Sequence, residues 1–220
     1  MLSGALHSLY YVALLHGYKV APLSVVYPIA RGVGPLISSF AAVIVFKEVL
    51  TSNTVLGVVL VVCGVFFLTW SGKAALSHRA SIKGIVWGSV TGVMISIYTI
   101  IDAYGVKTLL MHPLVFDYST NLIRVLLLLP FVTFRFAEVR ASIVKDFRGI
   151  LVVAILGPSA YMLVLAAIQI SPVSHVAPAR ELSLLLGAFL GGKFLNEGQL
   201  MRRMFAAFLI AIGVMFLSLQ

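Results

Sequence analysis

Apolar runs broken at short intervals by polar or proline-containing turns dominate the chain, and they predict helices of membrane-spanning length. The runs cover about Leu2 to Tyr18, Leu23 to Phe46, Thr54 to Ser71, Gly84 to Tyr104, Leu114 to Phe134, Gly149 to Ile170, Ser174 to Phe194 and Met204 to Leu219. Turn signals mark the breaks: Lys19 to Pro22, Thr51 to Asn53, Ser71 to Lys73, Met111 to Pro113, Ser171 with Pro172, and Asn196 to Gly198. About eight helices follow, which gives an all-α polytopic transmembrane bundle. Between the fifth and sixth, residues 135 to 148 place Phe136, Val139, Ile143 and Phe147 on one side among basic residues. Two readings fit that segment, a helix lying on anionic lipid or a plain basic linker.

Composition strengthens the membrane reading. Hydrophobic residues make up 61% of the 220 and charged residues 10%, against about 25% charged in a soluble domain. No sizeable soluble domain fits between the spans, and the segment from Met1 to Gly17 lacks the charged start of a cleavable leader. The formal charge of +9 points to topology rather than to nucleic acid. Lys19, Lys73, Arg79, Lys83, Arg135, Arg140, Lys145, Arg148, Lys193, Arg202 and Arg203 fall in alternate loops, while the opposite loops hold Lys47 and Lys107. The positive-inside bias therefore places the richer loops in the cytoplasm and both ends of this chain outside.

The pattern repeats. A shift of 150 residues aligns Tyr11 with Tyr161, Leu15 with Leu165, Pro22 with Pro172, Ser24 with Ser174, Val26 with Val176 and Pro28 with Pro178. After a slip of one residue, Leu36 aligns with Leu185, Phe40 with Phe189, Glu48 with Glu197, Gly64 with Gly213 and Phe67 with Phe216. Ordered matches of Pro, Glu and Gly do not follow from apolar composition alone. The first three helices thus recur as the last three, and helices four and five have no earlier counterpart. If the unit is five helices, roughly 70 further residues carrying two helices would precede Met1, and two odd-numbered units would be inverted across the membrane.

Few residues carry chemistry. Arg31, Arg124 and Arg180 lie inside apolar spans, where an ionised side chain costs about 2.5 to 3.5 kcal/mol even on the mildest scale, so each needs a partner or a wet cavity. The intramembrane carboxylates are Asp102, Asp117 and Glu181. Asp117, Asn121 and Arg124 are spaced four and three apart and share a helix face that is expected to point into the bundle. Tyr98 and Asp102 stand one turn apart, and Tyr11 and Tyr161 are matched by the repeat. For the arginines, pairing as structural ties (Arg124 with Asp117, Arg180 with a neighbouring carboxylate), snorkelling of Arg31 and Arg180, and contact with a substrate or ion all remain open. His7, His16, His78, His112 and His175 are scattered and read as polar boundary residues, although His175 next to the proline turn could also relay protons. Glu48 and Glu197 end helices and read as structural. Cys63 is the only cysteine, so disulfides within the chain are excluded and the residue is read as packing. Gly84, Gly88, Gly92 and Ser96, and likewise Gly187 and Gly191, form small-residue faces for close helix packing.

The duplicated PxSxVxP, the glutamates of LysGluValLeu and AsnGluGlyGln, and the final GlyValPhePheLeu and GlyValMetPheLeu resemble the EamA-like family of the drug/metabolite transporter superfamily. The resemblance covers nearly the whole chain. It implies that residues 1–71 are the last three helices of a first repeat, 72–83 a linker and 84–220 a complete second five-helix repeat, within a ten-helix inverted-repeat architecture. It also implies a secondary carrier, often an exporter, that moves a small polar or anionic metabolite by alternating access through a central cavity, in a bacterial cytoplasmic membrane. The family's usual arrangement has both termini in the cytoplasm, opposite to the charge bias. Candidate substrate contacts are Arg124, Arg180, Glu181, Asp117, Asn121, Arg31, Tyr98, Asp102, Tyr161 and Tyr11. The expected partners are a small-molecule substrate, the lipid bilayer and a second copy in a homodimer, with no nucleic acid, cofactor or metal. HExxH and GxSxG are absent from the sequence, so no catalytic residue is named. The alternative is a truncated, non-transporting membrane protein or an assembly subunit.

Overall fold

The computed structural model describes residues 2–21, 23–69, 78–183 and 200–218. Every regular element among them is helical: α1 Leu2–Val20, α2 Leu23–Phe46, α3 Ser52–Thr69, α4 His78–Ala103, α5 Pro113–Phe134, α6 Phe136–Lys145, α7 Phe147–Ile170, α8 Val173–Ala179 and α9 Leu200–Ser218. Local chemistry sets the ends. At Lys47 the chain turns with φ at 54°, which stops α2. The Thr51 hydroxyl accepts the Thr54 N–H at 3.1 Å and caps α3. Pro113 opens α5, where no donor is needed, while His112 Nδ1 accepts the Leu114 N–H at 3.3 Å. The segment after α5 is the helix α6, so the plain-linker reading gives way to a helical one.

Two elements depart from continuous α-helix. Beyond Ala103 the chain continues as a π-turn, Tyr104–Thr108, and Gln169 Nε2 donates to the Val106 carbonyl at 3.3 Å. The seventh predicted helix is not one α-helix from Ser174 onward. α8 ends at Ala179 and passes into a 3-10 turn, Arg180–Leu182, and residues 184–199, with Gly187, Gly191 and Glu197, lie outside the described residues. Among the described residues, four helical segments are long and apolar enough to cross a membrane: Val25–Phe46, Ile82–Thr108, Pro113–Phe134 and Phe147–Ile170. Ser52–Phe67 and Phe205–Leu217 are shorter apolar helices.

The chain divides into two compact units. One comprises Met1–Ser8 with Ile101–Ile170, the other Leu9–Ile100 with Ser171–Gln220. In the first, α5 and α7 display Leu122, Leu126, Phe131, Val153, Leu156 and Leu163 at the surface, as expected of side chains facing lipid. The start of α1 packs closely on α5, since a Cβ at Gly4 would lie 2.9 Å from the Thr120 carbonyl.

In the second unit small residues bring backbones together. Gly84, Gly88 and Gly92 of α4 each receive a side chain of α2, namely Val25, Ile29 and Val33 in the same four-residue rhythm. α3 and α9 meet around Val58, Val61, Val65, Ile210 and Leu217. Their contacts are reciprocal: a Cβ at Gly64 would lie 2.6 Å from Ile210, and one at Gly213 would lie 2.8 Å from Val61. The offset that aligns Gly64 with Gly213 also aligns Val61 with Ile210. Cys63 is exposed on α3, not packed inside. α3 is apolar on every side, so its sequence does not distinguish the buried face from the exposed one.

Candidate functional site

The second unit gathers two guanidinium groups around one carboxylate. On α2, Tyr27 and Arg31 are four residues apart, and the Arg31 guanidinium lies over the Tyr27 ring, 5.5 Å from its centre. The partner comes from the far end of the sequence. Pro172 cannot continue a helix from α7, and α8 begins anew at Val173 with no cap of its own. Glu48 supplies one: its carboxylate accepts the Val173 N–H at 2.7 Å, the Ser174 N–H at 3.0 Å and the Ser174 hydroxyl at 2.7 Å. The Ser39 hydroxyl meets the Ser174 carbonyl at 3.4 Å, and the Thr54 hydroxyl lies 3.2 Å from His175 Nε2. With α8 anchored at its first turn, the 3-10 turn at its end presents Arg180 and Glu181.

Glu181 is fully buried. Arg31 Nη1 donates to both of its oxygens, at 3.3 and 3.5 Å, and Arg180 Nε lies 3.5 Å from Oε1. Two guanidinium groups therefore share one carboxylate. Arg31 and Glu181 are 150 residues apart, the offset that aligns Pro28 with Pro178, so positions matched by the repeat touch each other. Arg31 does not snorkel away from the span but pairs inward. Tyr10 and Tyr98 sit ring to ring at 5.7 Å. Tyr11 is 46% exposed and lies against Tyr10.

The first unit holds the remaining candidates in two sets. Asp102, fully buried, accepts a hydrogen bond from the Tyr161 hydroxyl and lies 3.9 Å from His7 Nε2. The His7 and Tyr161 rings meet edge to face at 5.4 Å. On α5, Asn121 Nδ2 donates to Asp117 at 3.0 Å, and Arg124 Nη1 donates to Asn121 Oδ1 at 3.0 Å. Asn121 thus bridges Arg124 and Asp117, which the sequence offered as one possible pair. Asp117 and Thr120 are buried, while Leu122 and Val125 on the other side are exposed.

Arg31, Arg180, Glu181 and Tyr98 accordingly belong to one unit, and Asp102, Tyr161, Asp117, Asn121 and Arg124 to the other. The repeat pairs Tyr11 with Tyr161; Tyr161 donates to the buried carboxylate of Asp102, and Tyr11 lies against Tyr10. Sequence reasoning passed over Tyr10, Tyr27, His7 and the capping action of Glu48. The i, i+4 spacing from Tyr27 to Arg31 was available as a signal; for His7 and Tyr10 no local pattern existed. Among the described residues no group of three or more His, Cys, Asp or Glu is placed to hold a metal ion.

A transmembrane bundle of this kind, with intramembrane arginines, a doubled proline motif and small-residue helix faces, can be compared with known proteins. The model of the EamA-like transporter family matches residues 82–219, more than half of the chain. The chain belongs to the EamA-like transporter family. It is therefore a multi-pass membrane protein of a family of transporters, not of enzymes. No curated protein matches the sequence. A solved crystal structure shares the fold, with a TM-score of 0.71 at 16% identity over 96% of this chain and 73% of the other.

Proposed function

We propose that this EamA-like protein is a secondary carrier, and in direction an exporter, for a small polar or anionic metabolite, with Arg31 and Arg180 as its principal substrate contacts. The observation that carries the reading is the pairing of two guanidinium groups with a single buried carboxylate. Such a cluster is costly inside a membrane span. Tyr27, Tyr10 and Tyr98 add aromatic and hydroxyl groups near Arg31.

Alternating access needs two related halves. The reciprocal contacts of Gly64 with Ile210 and Gly213 with Val61, and the meeting of Arg31 with Glu181 at the repeat offset, support a pseudo-twofold relation between helices of two repeats. In this reading residues 1–71 contribute the last three helices of one repeat and 84–220 the five helices of the other, in a bacterial cytoplasmic membrane and as a homodimer.

The experiment is counterflow in proteoliposomes with a mixed pool of labelled amino acids and short carboxylates. Losing a hydrogen bond to a charged ligand costs about 1.5 to 3 kcal/mol, so Arg31→Ala and Arg180→Ala should each lower flux by at least about tenfold while insertion is unchanged. Flux equal to wild type in both variants would remove the cluster from the transport pathway.

A further inference from the structure

The apolar span of α5 ends at Phe134 and that of α7 begins at Phe147, so α6 lies where both leave the bilayer. One non-helical residue at each end, Arg135 with φ at −118° and Asp146 with φ at −130°, sets α6 off from its neighbours. Joints this short keep the helix at the level of the membrane surface. Phe136, Val139 and Ile143 follow at spacings of three and four and share a face, with Arg140 and Val144 in the adjoining row, while Glu138, Ser142 and Lys145 lie opposite. No residue of α6 is buried. Phe136 is 62% exposed, and Ile143 and Val144 are exposed as well. The exposed Phe134 and Phe147 on either side continue this apolar surface into the lipid-facing sides of α5 and α7.

The charges identify the lipid. Residues 135–148 hold Arg135, Arg140, Lys145 and Arg148 against Glu138 and Asp146, and both acids are engaged locally. Glu138 pairs with Arg135 at 3.6 Å. The Asp146 carboxylate lies over the first turn of α7, 2.9 Å from where a Cβ of Gly149 would stand, a favourable place for an anion. Arg140, Lys145 and Arg148 are exposed and form no ion pair among the described residues.

We propose that α6 is a binding helix for anionic phospholipid: Phe136, Ile143 and Val144 enter the boundary of the acyl chains, and Arg140, Lys145 and Arg148 bind headgroup phosphates. Arg140 leaves the apolar side by its long stem and carries its guanidinium to the headgroups. The segment belongs to the basic loops that the positive-inside bias assigns to the cytoplasm, where the leaflet is anionic.

The test uses the purified full chain in nanodiscs of phosphatidylcholine mixed equally with phosphatidylglycerol. In a Cys63→Ser background a spin label is attached through Ile143→Cys or, about 200° round the helix, through Ala141→Cys. The label at 143 should be at least fivefold less accessible than that at 141 to a water-soluble nickel complex. In detergent, added phosphatidylglycerol should raise the unfolding midpoint of the native sequence with an apparent affinity at least tenfold that of phosphatidylcholine. Each basic residue at an anionic surface strengthens association about fivefold. The triple variant Arg140→Gln/Lys145→Gln/Arg148→Gln should therefore lose at least tenfold in affinity for phosphatidylglycerol and keep that for phosphatidylcholine. Labels at 143 and 141 equally open to the nickel complex would overturn the proposal whether or not the triple variant folds. A triple variant with wild-type affinity for phosphatidylglycerol would overturn the role of the three cations, and equal stabilisation by glycerol phosphate would overturn a lipid surface as the partner.

Discussion

Replacing Glu48 by alanine removes three hydrogen bonds at once, those from the Val173 N–H, the Ser174 N–H and the Ser174 hydroxyl, at 2.7, 3.0 and 2.7 Å. Bonds to a charged acceptor contribute about 1.5 to 3 kcal/mol each in soluble proteins. Interhelical bonds in membrane proteins average about 0.6 and reach about 1.7 kcal/mol. Glu48 is half-buried, so water can replace part of what is lost, and the three bonds share one carboxylate. Together these considerations give about 2 to 3 kcal/mol for Glu48→Ala. Glu48→Gln keeps one acceptor oxygen and the side-chain length, and should cost about 1 kcal/mol. At about 2 to 4 °C per kcal/mol for a chain of this size, the alanine variant should unfold about 4 to 12 °C below wild type in detergent. A double-mutant cycle with Ser174→Ala isolates the hydroxyl bond and should give a coupling of at least about 0.5 kcal/mol. Because α8 leads directly into Arg180 and Glu181, Glu48→Ala should also lower flux, with Glu48→Gln largely restoring it. An alanine variant within about 0.5 kcal/mol of wild type, or a coupling near zero, would refute the view that Glu48 anchors α8.

Two glycine substitutions should have opposite signs under the same thermal assay. At Gly57 a Cβ would sit 2.7 Å from the Gly213 carbonyl oxygen and 2.8 Å from Leu217; backbone cannot rotate away, so Gly57→Ala should destabilise by about 1 to 3 kcal/mol. At Gly157 in α7 a Cβ would meet nothing within 4 Å, and Gly157→Ala should be neutral or stabilising by up to about 1 kcal/mol through helix propensity. Asn121→Ala interrupts the series from Arg124 to Asp117 and should lower stability by about 1 to 2 kcal/mol. Asn121→Gln, which keeps the amide, should recover part of that loss.

The sequence by itself determined where most of the described helices run, because lipid demands long apolar segments with internally paired backbone and tolerates polar turns only at their ends; the break of the seventh predicted helix at Ala179 was not legible in it. It also determined contacts whose partners share one helix, since i, i+3 and i, i+4 neighbours are fixed by helical pitch: Asp117, Asn121 and Arg124 lie on one face and bond in series. The glycine stripe of α4 was legible for the same reason, although not the identity of Val25, Ile29 and Val33 as the residues that fill it. What only the tertiary structure decided are the contacts between helices. Arg31 with Glu181, Tyr161 with Asp102, and Glu48 with the first turn of α8 join residues 150, 59 and about 125 positions apart. In a soluble protein the polar face of each helix would reveal its rotation, but a helix surrounded by lipid and by other apolar helices is apolar on every side. That is why Cys63 was placed inside and lies at the surface, and why Glu48, read as an ordinary helix end, caps a helix encoded more than half the chain away.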